Sequence, residues 1–250
     1  MAAILQTSDL GLDIGGATIV ADVSLGGAEG EFVGIIGPNG AGKTSLFNLL
    51  SGLLRPTAGR VELAGRDVTR AAPSTRARAG LGRTFQLSSV FAGLSAFENV
   101  RLAADASLGG TMRIWRQASR VREAVERASW ALDRVGLAHR RHVAAASLAG
   151  GEKRKLELAM LLASDPRVIL LDEPMAGVSA EDVPGLVEVI HAVHRDERKT
   201  VLMVEHHIDV VTGLAERIAV MHHGRLLACD TPENVMRNEI VQQAYVGEPL

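Results

Sequence analysis

The sequence predicts an α/β fold: a mostly parallel sheet wrapped by helices, with antiparallel strands at the N-terminus and edge and an inserted helical subdomain. Three observations lead there. Short apolar runs recur along the 250 residues at 32–36, 61–63, 81–85, 168–171, 201–204 and 218–221, several with helical stretches between them. Such alternation implies parallel strands crossed by helices. Between Phe97 and Arg141 the pattern changes to helical segments rich in Ala, Arg and Glu, broken at Leu108-Gly109-Gly110-Thr111. A glycine-rich segment follows directly on the first of the apolar runs.

In chain order, Phe32 to Ile36 reads as a buried strand. Gly37-Pro38-Asn39-Gly40-Ala41-Gly42-Lys43-Thr44 then has the spacing of a phosphate-binding loop. Gly37, Gly40 and Gly42 let the backbone curl so that its N–H groups point inward at phosphate oxygens. Lys43 supplies a point charge for the β and γ phosphates of a nucleoside triphosphate, and Thr44 a hydroxyl for Mg²⁺. Ser45 adjoins them. Leu46, Phe47, Leu49 and Leu50 recur at helical spacing, so a helix N-terminus faces the anion. The sheet is thereby expected to be a P-loop NTPase core. The alternative, a glycine-rich turn that happens to hold a lysine, leaves the flanking strand and helix unexplained.

Farther on, Val168-Ile169-Leu170-Leu171-Asp172-Glu173-Pro174 is a strand ending in carboxylates. Asp172 is placed to hold the Mg²⁺ shell, and Glu173 to polarise an attacking water. Before it, Ser147-Leu148-Ala149-Gly150-Gly151-Glu152 opens a helix over 153–162 with adjacent glycines, again presenting N–H groups to an anion. Ile218–Met221 and Leu226–Cys229 flank His222-His223-Gly224-Arg225 in the manner of a hairpin.

Bulk properties narrow the function. A net charge of −2 and the lack of any basic block argue against nucleic acid as a partner. Cys229 is the only cysteine, which excludes an intrachain disulfide and suits the cytosol. No apolar run approaches the length of a membrane span, and Met1 to Asp9 lacks a basic signal-peptide region. His191 and His194 share a helix face, and His206-His207 and His222-His223 are paired, but no third ligand at suitable spacing suggests a metal site.

These motifs, in this order, resemble the ATP-binding cassette ATPases over nearly the whole chain. Residues 37–44 match the family's Walker A, 168–173 its Walker B, and Leu148 to Glu152 its signature. Gln86, after Arg83-Thr84-Phe85, is similar to the Q-loop glutamine, and His206 to the switch histidine. The resemblance implies one ATPase domain with ATP and Mg²⁺ as cofactors. Its sheet-containing core would span about 1–86 and 164–230, its helical subdomain 87–163 and its helical tail 231–250. It implies a head-to-tail dimer, homo- or heteromeric, in which Ser147, Ala149, Gly150, Gly151 and Glu152 act in trans on the other subunit's triphosphate. Glu173, His206 and Gln86 would be catalytic, with Thr44, Gln86 and Asp172 around the metal.

Three positions depart from the family pattern. Ala149 replaces the signature serine, Ser179 stands where an aspartate often ends the D-loop, and Ile14 takes the place of the aromatic that commonly stacks on adenine. Weaker base selectivity is expected from Ile14. Arg83-Thr84-Phe85-Gln86, Pro174-Met175-Ala176-Gly177-Val178 and Ala244-Tyr245-Val246-Gly247-Glu248 look like the branched-chain amino acid importer ATPases. Urea and short-amide importers and some lipopolysaccharide-export ATPases share parts of this pattern. A soluble ATPase of translation or repair would normally carry a second cassette or a long coiled-coil insertion. The importer reading implies permease subunits as membrane partners, a solute-binding protein as an indirect one, and a peripheral position on the cytoplasmic face of the inner membrane. Val90, Phe91 and Phe97 near Gln86 read equally as a permease-docking groove or as core.

Overall fold

The computed structural model describes residues 3–84, 90–109 and 114–246. The chain forms two compact units: one of Met1–Arg83, Arg167–Glu173 and His194–Leu250, the other of Thr84–Pro166 and Pro174–Val193. Residues 174–193 thus fall with the helical unit, outside the boundary expected at 163.

The first unit holds two sheets. The smaller is antiparallel and runs β2 (Ala17–Val23), β1 (Ala3–Ile14), β5 (Ala58–Leu63), β6 (Arg66–Asp67), with β3 (Gly26–Ala28) also on β1. The larger has the order β11 (Arg225–Asp230), β10 (Arg217–His222), β4 (Phe32–Ile36), β9 (Thr200–Val204), β8 (Val168–Asp172), β7 (Leu81–Arg83). All of its neighbours pair in parallel except β10 with β11. Every residue of β4, β8 and β9 is buried, which is why these strands read as unbroken apolar runs rather than alternations. The expected hairpin is present: His222 faces Arg225 across a two-residue turn, with His223 and Gly224 at φ 46° and 76°, as a type I′ turn requires.

One apolar cluster joins the sheets. Leu10, Val23, Val61 and Leu63 from the antiparallel sheet meet Leu46, Phe47, Leu49 and Leu50 of α1 (Lys43–Ser51) and Val33, Leu170 and Leu202 of the parallel sheet. Fully burying side chains of this size contributes about 1.5–3 kcal/mol each, so the helix that starts at the glycine-rich loop is firmly seated. Arg76, on α2 (Pro73–Arg78), is 1% exposed and donates to the carbonyls of Leu49, Leu50, Thr69 and Ala71. A cation there caps the C-terminus of α1, where the helix dipole favours positive charge. Burial nonetheless pushes its pKa below the ordinary arginine value, against the pull of Asp67.

The second unit is built on α3 (Ala96–Ser107), α4 (Ile114–Arg134) and α5 (Gly150–Ala163), which pack on one another. Ala104, Ala124, Ala128, Ala131 and Ala159 are all buried, so the alanine-rich composition lets these helices approach closely. Ser95 caps α3 by accepting from the Glu98 N–H. Asn99, fully buried, holds the preceding loop by accepting from the Phe91 N–H at 2.7 Å and donating to the carbonyls of Phe91 and Ser95. Trp130 is 39% exposed. The remaining helices are α6 (Val183–Glu197), α7 (Ile208–Leu214), α8 (Pro232–Arg237) and α9 (Glu239–Val246). Among the described residues, no helix is long and apolar enough to cross a membrane.

Candidate functional site

The parallel sheet delivers four predicted or newly evident site segments to the same edge. The glycine-rich loop follows β4, Asp172 ends β8, Glu205 and His206 follow β9, and Arg83 ends β7. In open α/β sheets, ligands bind outside these carboxyl ends.

The loop needs glycine for close approach. A Cβ on Gly37 would lie 2.1 Å from the Met221 carbonyl oxygen, and one on Gly42 2.8 Å from that of Ile19. Gly42, at φ 93°, is the N-cap of α1 and offers no side-chain cap, and the first turn holds no acid. The first-turn N–H groups, those of Thr44 and Ser45 among them, have no intrahelical partners by helix geometry, and they sit at the positive end of the dipole. That arrangement suits a phosphate. Asn39 and Gly40 are exposed, while Gly37, Ala41 and Lys43 are buried. The Lys43 ammonium donates to the carbonyls of Gly37 and, at 2.8 Å, Pro38. Burial holds its pKa below the ordinary lysine value, with Glu173 and Asp172 pulling the other way. The hairpin turn braces the loop: the Gly224 N–H donates to the Ala41 carbonyl at 3.1 Å, and its own carbonyl accepts from Ala21 at 2.8 Å.

Asp172 is 1% exposed, and its Oδ2 accepts from Arg83 Nη2 at 2.7 Å. Arg83 Nη1 also donates to Asn48 Oδ1 and Ser51 Oγ on α1, each at 2.8 Å. Glu173 stands at φ 47°, a left-handed conformation that costs a non-glycine residue about 1–3 kcal/mol and recurs at functional sites. It turns the carboxylate out of the strand, where Oε1 lies 3.0 Å from His206 Nε2. Glu205 is 2% exposed, and its Oε2 accepts from the His206 N–H at 3.0 Å and contacts His207 Nδ1 at 3.1 Å. Lys43, Asp172, Glu173 and His206 are thus gathered in one unit. Ile14, 52% exposed, pairs with Ala17 at the tip of the β1–β2 hairpin. Gln86 lies outside the described residues.

In the helical unit, Ala149 is the N-cap of α5 and has no side-chain oxygen to cap it. Glu152 accepts from the Ala149 N–H at 3.0 Å and from Arg140 Nε at 2.8 Å. Ser147, Ala149 and Gly150 are exposed and Gly151 is buried; a Cβ on Gly151 would lie 2.9 Å from the Asp182 carboxylate. Ser179 Oγ donates to that same carboxylate at 2.8 Å.

Arg83, Glu205 and Arg140 escaped the sequence reading as site residues. Arg83 lies three residues before Gln86, but its partners at 48, 51 and 172 are distant in sequence.

Comparison with known proteins identifies the family. Residues 20–176 match the ABC transporter family. The chain is 36% identical over 250 residues to the high-affinity branched-chain amino acid transport ATP-binding protein LivG of Salmonella typhimurium, covering 98% of each. It is 38% identical over 251 residues to the lipopolysaccharide export system ATP-binding protein LptB of Acidithiobacillus ferridurans, covering 99% of this chain and 98% of that one. Among solved structures it resembles the ADP conformation of an ATP-binding cassette of an ABC transporter, with a TM-score of 0.85 at 26% identity over 99% of this chain and 100% of that one. A dimeric post-hydrolysis cassette bound to ADP and Pi matches with a TM-score of 0.75 at 26% identity, over 91% of this chain and 98% of that one. Motif order, end-to-end identity and fold converge, and the chain belongs to the ABC transporter family, as one of its nucleotide-binding ATPases.

Proposed function

We propose that the chain is the ATP-hydrolysing subunit of a membrane importer for branched-chain or other hydrophobic amino acids. The end-to-end identity with a branched-chain amino acid transport ATP-binding protein carries this reading. ATP docks through the backbone N–H groups of the glycine-rich loop and Lys43, with Ile14 against the base. Glu173 draws the proton of a water whose oxygen attacks the γ-phosphorus, the bond to the β–γ bridging oxygen breaks, and ADP leaves. His206, in contact with Glu173, orients that carboxylate and reaches toward the γ-phosphate.

The Thr44 hydroxyl and the Asp172 carboxylate are hard oxygen donors that suit Mg²⁺, with Gln86 proposed beside them; the ion would neutralise charge developing on the phosphates. The signature residues 147 and 149–152 act on the ATP of a second ATPase subunit, so that ATP closes a head-to-tail dimer and hydrolysis reopens it. Phe91, 58% exposed, supports a docking surface for integral membrane permease subunits. These subunits place the chain on the cytoplasmic face of the inner membrane and link it indirectly to a solute-binding protein. The identity with a lipopolysaccharide-export ATP-binding protein favours a second reading, an export ATPase.

The test is ATP turnover by the chain assembled with its permeases in vesicles. Solute-binding protein loaded with leucine, isoleucine or valine stimulates turnover if the importer reading holds, and Glu173→Gln abolishes it while leaving ATP bound. Stimulation by lipopolysaccharide instead of the loaded binding protein assigns the chain to export.

A further inference from the structure

We propose that Arg83 is the positioning residue that fixes the separation between two of the groups assigned to Mg²⁺, Thr44 on α1 and Asp172 at the end of β8. The inference rests on the nucleotide-site reading above. One guanidinium spans both elements. Nη1 donates to Asn48 Oδ1 and Ser51 Oγ at 2.8 Å each, within two turns of Thr44 on the same helix, and Nη2 donates to Asp172 Oδ2 at 2.7 Å. The arginine and aspartate side chains are 7% and 0% exposed, so solvent does not loosen the pair. The guanidinium also lies 5.7 Å from the centroid of the Phe47 ring, a third contact with α1. Its backbone is set by β7, where Arg83 pairs with Leu170 of β8.

The choice of arginine follows from its shape. A planar fork with fixed donors can hold two elements at a set distance, whereas a lysine ammonium on a flexible stem cannot reproduce both arms. Mg²⁺ demands near-ideal octahedral geometry at about 2.0–2.1 Å, whereas Ca²⁺ accepts longer and more variable bonds. A small change in the spacing of α1 and β8 therefore penalises Mg²⁺ specifically. Arg83 touches neither nucleotide nor reacting atoms in this scheme; it acts through Asp172 and α1.

The experiment is equilibrium binding of a fluorescent ATP analogue to the full chain, titrated with Mg²⁺, with Ca²⁺, and in excess chelator. In the wild type, Mg²⁺ tightens binding. Arg83→Lys raises the half-saturating Mg²⁺ by about 10–100-fold, the usual cost of losing an outer-shell partner, while binding in chelator stays unchanged and the preference for Mg²⁺ over Ca²⁺ shrinks. The double variant Asn48→Ala/Ser51→Ala, which cuts only the α1 arm, shifts Mg²⁺ in the same direction and keeps the test open if Arg83→Lys does not fold. Unchanged Mg²⁺ half-saturation in the folded variants overturns the proposal. So does a parallel loss of binding in chelator, which marks a merely structural role. A wild type whose ATP binding ignores Mg²⁺ overturns instead the site reading on which the proposal stands.

Discussion

Two helices begin with glycine-rich turns, and their N-termini are finished differently. That of α1 is bare: Gly42 caps it without a side chain, and no acid lies in its first turn. That of α5 is partly satisfied from within, because the Glu152 carboxylate accepts from the Ala149 N–H and is itself ion-paired to Arg140. Only half of a capping box is built there; a serine or threonine at the N-cap would return a bond to the Glu152 N–H, and Ala149 cannot. The contrast teaches that an anion is offered the whole first turn of α1, with a buried ammonium beside it. At α5 the same anion meets fewer open N–H groups and a carboxylate already in place. On the proposed reading, the first half-site holds the triphosphate and the second only senses it.

Three substitutions test that division, the largest effect first. Lys43→Met removes a charge that makes about 1.5–3 kcal/mol per charge-assisted bond, so ATP affinity falls by at least about tenfold. The bonds from Lys43 to the Gly37 and Pro38 carbonyls are lost too, at a net cost smaller than that of the lost phosphate contacts, so denaturant unfolding of the nucleotide-free protein shifts much less than ATP affinity does. A parallel drop in unfolding midpoint would make Lys43 a structural residue and remove the contrast. Ile14→Tyr adds a stacking face worth about 1–3 kcal/mol per base, so fluorescence titration shows ATP and GTP both binding more tightly. No change in either would show that Ile14 does not meet the base.

The smallest effect concerns Glu152. The Ala149 N–H, and then Arg140, hold its carboxyl below the usual carboxylate range against a burial penalty. A depressed folded pKa gives stability that is complete above the unfolded value, about 4.3 for glutamate, and drains as pH falls through the folded value. Glu152→Gln therefore costs a little thermal stability at pH 7, and the difference from wild type closes in acid, below about pH 4. A difference that persists undiminished at low pH would mean that the carboxylate's charge does not hold α5.

Much of the fold was legible because the relevant signals are local. The apolar runs of β4, β8, β9 and β10 announce buried strands, and the spacing of glycines and Lys43 announces its turn without outside help. The 12-residue β1 was not legible, and the reason is physical. Its pairing with β5 shifts register between Ser8 and Gly11, and Asp9 turns to φ 49°, so the alternation that marks a half-buried strand is broken midway. Arg76, which is buried, and Arg83, whose side chain is 7% exposed, were missed for a different reason. An arginine is ordinarily exposed, and only carbonyls and a carboxylate brought from elsewhere in the fold can keep these two inside. Asp172 and Glu173 were readable as a pair; the left-handed turn that separates their directions was not.

The brace between Gly224 and the glycine-rich loop has a consequence for how the molecule is made. The loop is complete in sequence by residue 44, yet its strand β4 lies between β9 and β10, and its Ala41 carbonyl is held by Gly224. All three partners lie more than 150 residues farther along the chain and are made that much later. Closing such distant contacts is the slow part of assembling a fold. The glycine-rich motif therefore takes its working shape only after those later segments are made, and a nascent chain carrying the full motif alone lacks the strands and the brace that hold it.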